Sequence, residues 1–133
     1  MINGIFLTQT HRDEPYLYIG KVSEVTGASC KAIRHYESMG LIPTPRRRGK
    51  YRIYSEQDVF LIHMIKTAQS VGFSLKELRG LVAAKVNNRQ FPIKLANELF
   101  DRKRSELREQ VDALKKQDQR IVDLKEKMNS IFS

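Results

Sequence analysis

The sequence predicts a mostly α-helical protein: a winged helix-turn-helix head with a small β-hairpin wing, followed by one long C-terminal helix. Three observations carry that prediction. Two short helix-forming stretches meet at Gly27, a Pro- and Arg-rich segment with strand formers comes next, and residues 93–133 contain neither glycine nor proline.

Taken in order, residues 1–15 are expected to form a flexible arm and residues 16–86 the head. Tyr16-Leu17-Tyr18-Ile19 suits a short strand, and Lys21 to Thr26 a short helix closed by Gly27. Ser29 is a good N-cap for a second helix running to about Met39, where Gly40 stops it. Ile33, Tyr36 and Met39 recur at three-residue steps, so that face packs inward. Pro43 and Pro45 forbid helix, Gly49-Lys50 offers a tight turn, and Tyr51, Ile53 and Tyr54 favour strand. The result is a small hairpin carrying Arg46, Arg47, Arg48, Lys50 and Arg52.

Two further helix starts follow. Ser55-Glu56-Gln57-Asp58 resembles a capping box and opens a helix to about Val71, with Val59, Ile62 and Ile65 inward. Ser74-Leu75-Lys76-Glu77 is a second box, opening a helix through about Ala84 with Leu75 and Leu78 inward. Residues 87–91 read as a polar linker and residues 92–133 as a dimerisation helix, with Pro92 in its first turn. Phe100, Leu107, Val111, Leu114, Ile121, Met128 and Phe132 fall on a heptad seam that Arg104, Asp118 and Lys125 interrupt. Such a helix is roughly 60 Å long and cannot bury its stripe against so small a head. A second copy of the chain is the simplest partner.

Charge separates the two parts. The 133 residues carry 24 basic and 15 acidic side chains, a formal charge of +9. Residues 1–91 hold 14 basic against 7 acidic groups, whereas residues 92–133 hold 10 against 8. A basic head beside a nearly balanced tail points to a polyanion at the head. Cys30 is the single cysteine, so an intramolecular disulfide is impossible and a reducing, cytoplasmic setting is expected. There is no apolar run of membrane-spanning length, and no membrane partner is expected. No nucleophile–base pair, phosphate loop or metal cluster stands out. Neither enzymatic activity nor a cofactor nor a metal is therefore expected. Cys30 reads as a packing or contact residue, with its redox role open.

Read together, these segments resemble the MerR family of bacterial transcriptional regulators. The resemblance is carried by Ile19-Gly20-Lys21-Val22 to Thr26-Gly27, by Ser29-Cys30-Lys31-Ala32-Ile33-Arg34-His35-Tyr36-Glu37 with Gly40-Leu41-Ile42, by Tyr51-Arg52-Ile53-Tyr54, and by Val71-Gly72-Phe73-Ser74-Leu75-Lys76-Glu77-Leu78. It spans residues 18–84 closely and the long helix more loosely. It implies an antiparallel two-stranded coiled coil that holds two heads on one near-palindromic promoter operator. The family distorts that DNA to control transcription, so RNA polymerase is an indirect partner.

The resemblance makes the helix from Ser29 the recognition helix. Ser29 and Lys31 suit polar or phosphate contacts, Arg34 a guanine edge or a phosphate, and Tyr36 a hydroxyl bond to the DNA backbone. His35 stands where the family more usually has an aromatic residue, which puts that contact in doubt. Arg46, Arg47, Arg48, Lys50, Tyr51 and Arg52 would grip flanking backbone or minor groove. Lys66 and Gln69, with Ser74, would come from the second wing. Phe100, Leu107, Val111, Leu114, Ile121 and Met128 would form the dimer interface. The positions that hold thiolates in the family's metal sensors contain no cysteine here. The chain stops within a residue of the last seam position, so no separate effector domain is expected. A ligand would then sit around Phe91, Phe100 or the partner's Met128 and Phe132. Two other readings stay open at this point: an architectural, excisionase-like DNA-bending protein, and an interaction coiled coil whose basic head is incidental.

Overall fold

The computed structural model describes residues 10–11, 14–88 and 92–133. Most of the expected N-terminal arm, and Arg89, Gln90 and Phe91 of the expected linker, lie outside the described residues. The chain divides into two compact units, Met1–Phe91 and Pro92–Ser133.

Five helices and five short strands make up the described chain. Strands β1 (Thr10–His11) and β2 (Glu14–Pro15) pair antiparallel. Strand β3 (Leu17–Tyr18) leads directly into α1 (Ile19–Thr26), which begins two residues before the predicted start. Helix α2 (Cys30–Ser38) follows, then β4 (Arg46–Arg48), β5 (Tyr51–Tyr54), α3 (Glu56–Ser70) and α4 (Leu75–Asn88). Helix α4 runs past the expected end at Ala84. Nothing between Leu81 and Val86 breaks a helix, so it propagates into the asparagines.

The wing is broader than a hairpin. Strands β3, β5 and β4 form an antiparallel sheet in that order, with Leu17 opposite Tyr54 and Arg48 opposite Tyr51. Leu17 and Tyr54 are both fully buried. They fasten the wing to the helices.

The capping chemistry is the one the sequence specifies. Ser29 Oγ accepts from the Ala32 amide at 3.0 Å. Ser55 and Asp58 form a reciprocal capping box, and Ser74 and Glu77 exchange the same pair of bonds at 3.0 and 3.1 Å. Helix α2 ends in a Schellman motif: Leu41 N donates to Tyr36 O at 2.9 Å and Gly40 N to Glu37 O at 3.0 Å. Gly40 takes φ 75°, which only a residue without Cβ adopts freely.

The core of the head gathers Val22, Ile33, Tyr36 and Leu41 with Val59, Ile62, Phe73 and Leu78. Between α1 and α2, Thr26 is buried yet satisfied: its hydroxyl donates to Val22 O at 2.7 Å and accepts from the Ala28 amide at 3.2 Å. That closed turn sets the angle at which α2 leaves the core.

Helix α5 (Ile93–Phe132) is 40 residues long, about 60 Å. Phe100, Leu107, Val111, Leu114, Ile121, Met128 and Phe132 are all exposed along it. Off the seam its surface is laced by helical pairs, such as Lys116 with Asp112 at 3.2 Å and Gln119 with Asp123 at 2.9 Å. No helix among the described residues is long and apolar enough to cross a membrane.

Candidate nucleic-acid interface

Three elements of the head carry the predicted contact residues. On α2 the buried positions Ile33 and Tyr36 define an inner face, and Lys31, Arg34, His35 and Ser38 are all exposed. Those four lie at i, i+3, i+4 and i+7, one continuous helical stripe. Ser38, which the sequence reading passed over, sits at the end of it and donates its hydroxyl to His35 O at 2.8 Å. Ser29 opens the stripe, with its side chain engaged as the cap.

Tyr36 is the residue the expectation misplaces. Its side chain is 1 % exposed, and its hydroxyl donates to Gln69 Oε1 on α3. The pair joins α2 to α3 inside the head: the Tyr36 side chain is buried, whereas Gln69 is half-buried with its Oε1 engaged by the tyrosine. Burial raises the Tyr36 phenol above its ordinary pKa, so the hydroxyl stays a donor. The signal was present in the sequence, because Tyr36 lies one step of three from Ile33 on the inward face.

The wing has two faces because strand side chains alternate. Arg47 and Arg52 are directly opposed across β4 and β5, an arrangement that like charge disfavours. Each is drawn elsewhere. Arg52 Nε donates to Glu37 Oε1 of α2 at 2.9 Å, both side chains being largely buried. Arg47 Nη1 donates to Lys50 O at 3.1 Å across the turn. Arg52 thus clamps the wing to α2 through its Nε. The other face carries Arg46 and Arg48, with Ile53 and Tyr51 opposite them. Tyr51 is 59 % exposed, and Lys50 Nζ lies 5.7 Å from its ring centroid.

That outer face holds residues the sequence reading did not single out. Tyr16 and Tyr18 pack edge to face with centroids 5.5 Å apart, and Tyr18 meets Tyr51 in the same way at 6.2 Å. The alternation Tyr16, Leu17, Tyr18 around a buried leucine was the available clue. On α3, Lys66 is exposed; Ser74 is occupied by the α4 cap. Lys31, Arg34, Arg46, Arg47, Arg48, Lys50 and Lys66 are exposed on this one unit, a concentration of cations suited to a phosphate backbone.

Two family models match the chain: the MerR HTH family regulatory protein over residues 17–85, and the MerR DNA-binding region over residues 61–124. The chain is similar to the mercuric resistance operon regulatory protein of Bacillus cereus, 34 % identical over 110 residues that cover 82 % of this chain and 83 % of that one. It is also similar to the HTH-type transcriptional regulator HmrR of Sinorhizobium medicae, 42 % identical over 66 residues, covering 49 % of this chain and 45 % of that one. Among solved structures, a putative MerR family transcriptional regulator from Listeria monocytogenes superposes with a TM-score of 0.60 at 27 % identity, over 79 % of this chain and 80 % of that one. HiNmlR, a MerR family regulator lacking the sensor domain and bound to promoter DNA, superposes with a TM-score of 0.60 over 76 % of each chain. At 22 % identity it speaks for the fold alone.

Proposed function

This chain belongs to the MerR family of helix-turn-helix regulatory proteins, and from that premise we propose that it binds a near-palindromic promoter operator as an antiparallel homodimer and distorts it to control transcription. That it is a DNA-binding transcriptional regulator follows from the family. The operator symmetry, the dimer and the indirect effect on RNA polymerase belong to this proposal. One observation carries it: a basic, exposed α2 stripe and wing occur in the same chain as a 40-residue helix with an exposed apolar seam.

The polar seam residues favour the antiparallel arrangement on physical grounds. Arg104, Asp118 and Lys125 share one heptad phase with Val111. A parallel, in-register pair sets residues of that phase against themselves, so each charge would meet its own kind inside the seam. An antiparallel pair puts positions of the other phase opposite them, which removes all three repulsions.

The recognition helix reads base edges through Arg34, with Lys31 and His35 beside it, and Arg46, Arg47, Arg48 and Lys50 hold the flanking backbone. Relatives are named for mercury and heavy metals. Soft metals are held by clustered thiolates, whereas this chain has a single cysteine. Its Cys30 Sγ lies 3.9 Å from Ile19 O, and the described residues contain no group of three or more potential metal ligands. The donor set does not fit a soft-metal sensor, so metal sensing is not carried over from those relatives.

The test is selection of bound duplexes from a random pool by the purified chain, followed by footprinting. Two half-sites related by a dyad, protected together within a promoter spacer, are expected. Recovery of sequences without symmetry would sink the operator reading in favour of an architectural DNA-bending role.

A further inference from the structure

We propose that Tyr16 is a positioning residue for Arg48, and that the Tyr16–Tyr18–Tyr51 stack on the outer face of the wing sets how tightly the wing grips the DNA backbone. The inference rests on the DNA-binding reading above and extends it to residues outside both the recognition helix and the wing turn.

The register of the sheet places these side chains together. Leu17 and Tyr54 face inward as a buried pair, so Tyr18 and Ile53 face outward, as do Tyr51 and Arg48 one step along. Arg48 Nη1 donates to the Tyr16 hydroxyl, and its guanidinium lies 5.8 Å from the Tyr16 ring centroid. Tyr16 in turn abuts Tyr18, and Tyr18 abuts Tyr51, each edge to face. A three-membered aromatic stack thus crosses from β3 to β5 and presents an arginine at one end and Lys50 at the other.

An arginine on an exposed strand is otherwise free over many rotamers, and fixing it on a phosphate costs that freedom at the moment of binding. Contact with a ring face and a phenol oxygen removes part of the freedom beforehand. The guanidinium keeps further donors for a phosphate, because Tyr16 takes one terminal nitrogen of a five-donor fork. The stack itself is held by its two edge-to-face contacts, and hydrogen bonding with Tyr16 raises the Tyr18 phenol above its ordinary value.

The test is a double-mutant cycle on the full chain, using the tightest duplex recovered from the random pool. Tyr16→Ala is expected to weaken binding roughly five-fold, within the range set by freeing one long side chain. The slope of log K against log salt should stay unchanged, because the charge is still present. Arg48→Ala should make that slope shallower by about 2 for a dimer, one phosphate per head. In the Arg48→Ala background, Tyr16→Ala should do nothing further. Tyr16→Phe keeps the ring and loses the oxygen, and should fall between wild type and Tyr16→Ala, again only when Arg48 is present. Equal losses with and without Arg48, or no loss in Tyr16→Ala, overturn the proposal. Should Arg48→Ala leave affinity intact while Arg34→Ala abolishes it, the wing inference fails and the recognition-helix reading stands. Indifference of the duplex to both substitutions would bring down the DNA-binding reading itself.

Discussion

At the scale of single residues, two buried tyrosines do opposite things with their hydroxyls. Tyr36 donates to Gln69, whereas the Tyr54 hydroxyl is buried without a hydrogen-bond partner among the described residues. Removing a satisfied buried hydroxyl strands its partner, whereas removing an unsatisfied one is nearly neutral. Tyr36→Phe is therefore expected to cost about 1 kcal/mol in urea unfolding, and Tyr54→Phe less than half of that. Burial also raises the Tyr36 phenol. A raised value in the folded state contributes stability that is full below the unfolded value near 10 and is lost as pH climbs through the folded one. The thermal midpoint should accordingly drop between roughly pH 9 and 11. Burial raises the Tyr54 phenol in the same direction, so Tyr36→Phe should flatten only part of that alkaline limb; an identical profile in the variant would remove Tyr36 as a contributor. Arg34 is exposed and outside the core. Arg34→Ala should leave the melting temperature in place and weaken operator binding about ten-fold or more, measured by titration against the selected duplex.

At the scale of elements, the helix ends add stability of their own through their capping bonds. The α3 capping box satisfies two donors reciprocally, and Ser55→Ala should cost about 1 kcal/mol. Gly40 sits at φ 75° with open space where a Cβ would point. Gly40→Ala then costs about 1 kcal/mol from backbone conformation alone, with no steric clash added. Denaturant titration of both variants checks the pair, and a neutral Gly40→Ala would contradict the left-handed cap. The wing is joined to α2 by the Arg52–Glu37 pair. Phosphate contacts by wing and helix should for that reason weaken together when Glu37 is replaced.

At the scale of the whole molecule, an exposed seam of seven large apolar residues on one helix demands a cover. Leu114 and Ile121 are 64 % and 59 % exposed near its middle. Leu114→Asp with Ile121→Asp should convert the protein to a monomer in sedimentation, with the circular dichroism of the head retained. Loss of the second head removes the intramolecular second binding step, worth on the order of 10²–10⁴ in affinity. The double variant should thus bind its operator at least 100-fold more weakly. If each head neutralises ~4 phosphates, the wild-type salt slope is about −7, and the monomer's should be half that.

Much of this protein was determined by its sequence acting locally. Ser29, Ser55 and Ser74 name the helix starts, Gly40 and Gly72 the stops, and the three-four spacing of Phe100 to Phe132 the seam, because capping, turns and helical periodicity connect residues only a few positions apart. Tertiary structure alone decided the partnerships across distance: Tyr36 with Gln69, Arg52 with Glu37, and Arg48 with Tyr16. Those residues are separated by 33, 15 and 32 positions. No local pattern encodes such pairs, since they arise only when the core packs the helices and the sheet register turns one side of the wing inward. That is why three predicted contact residues, Tyr36, Gln69 and Arg52, became ties within the head, and why an aromatic stack emerged beside the cations that remained outside.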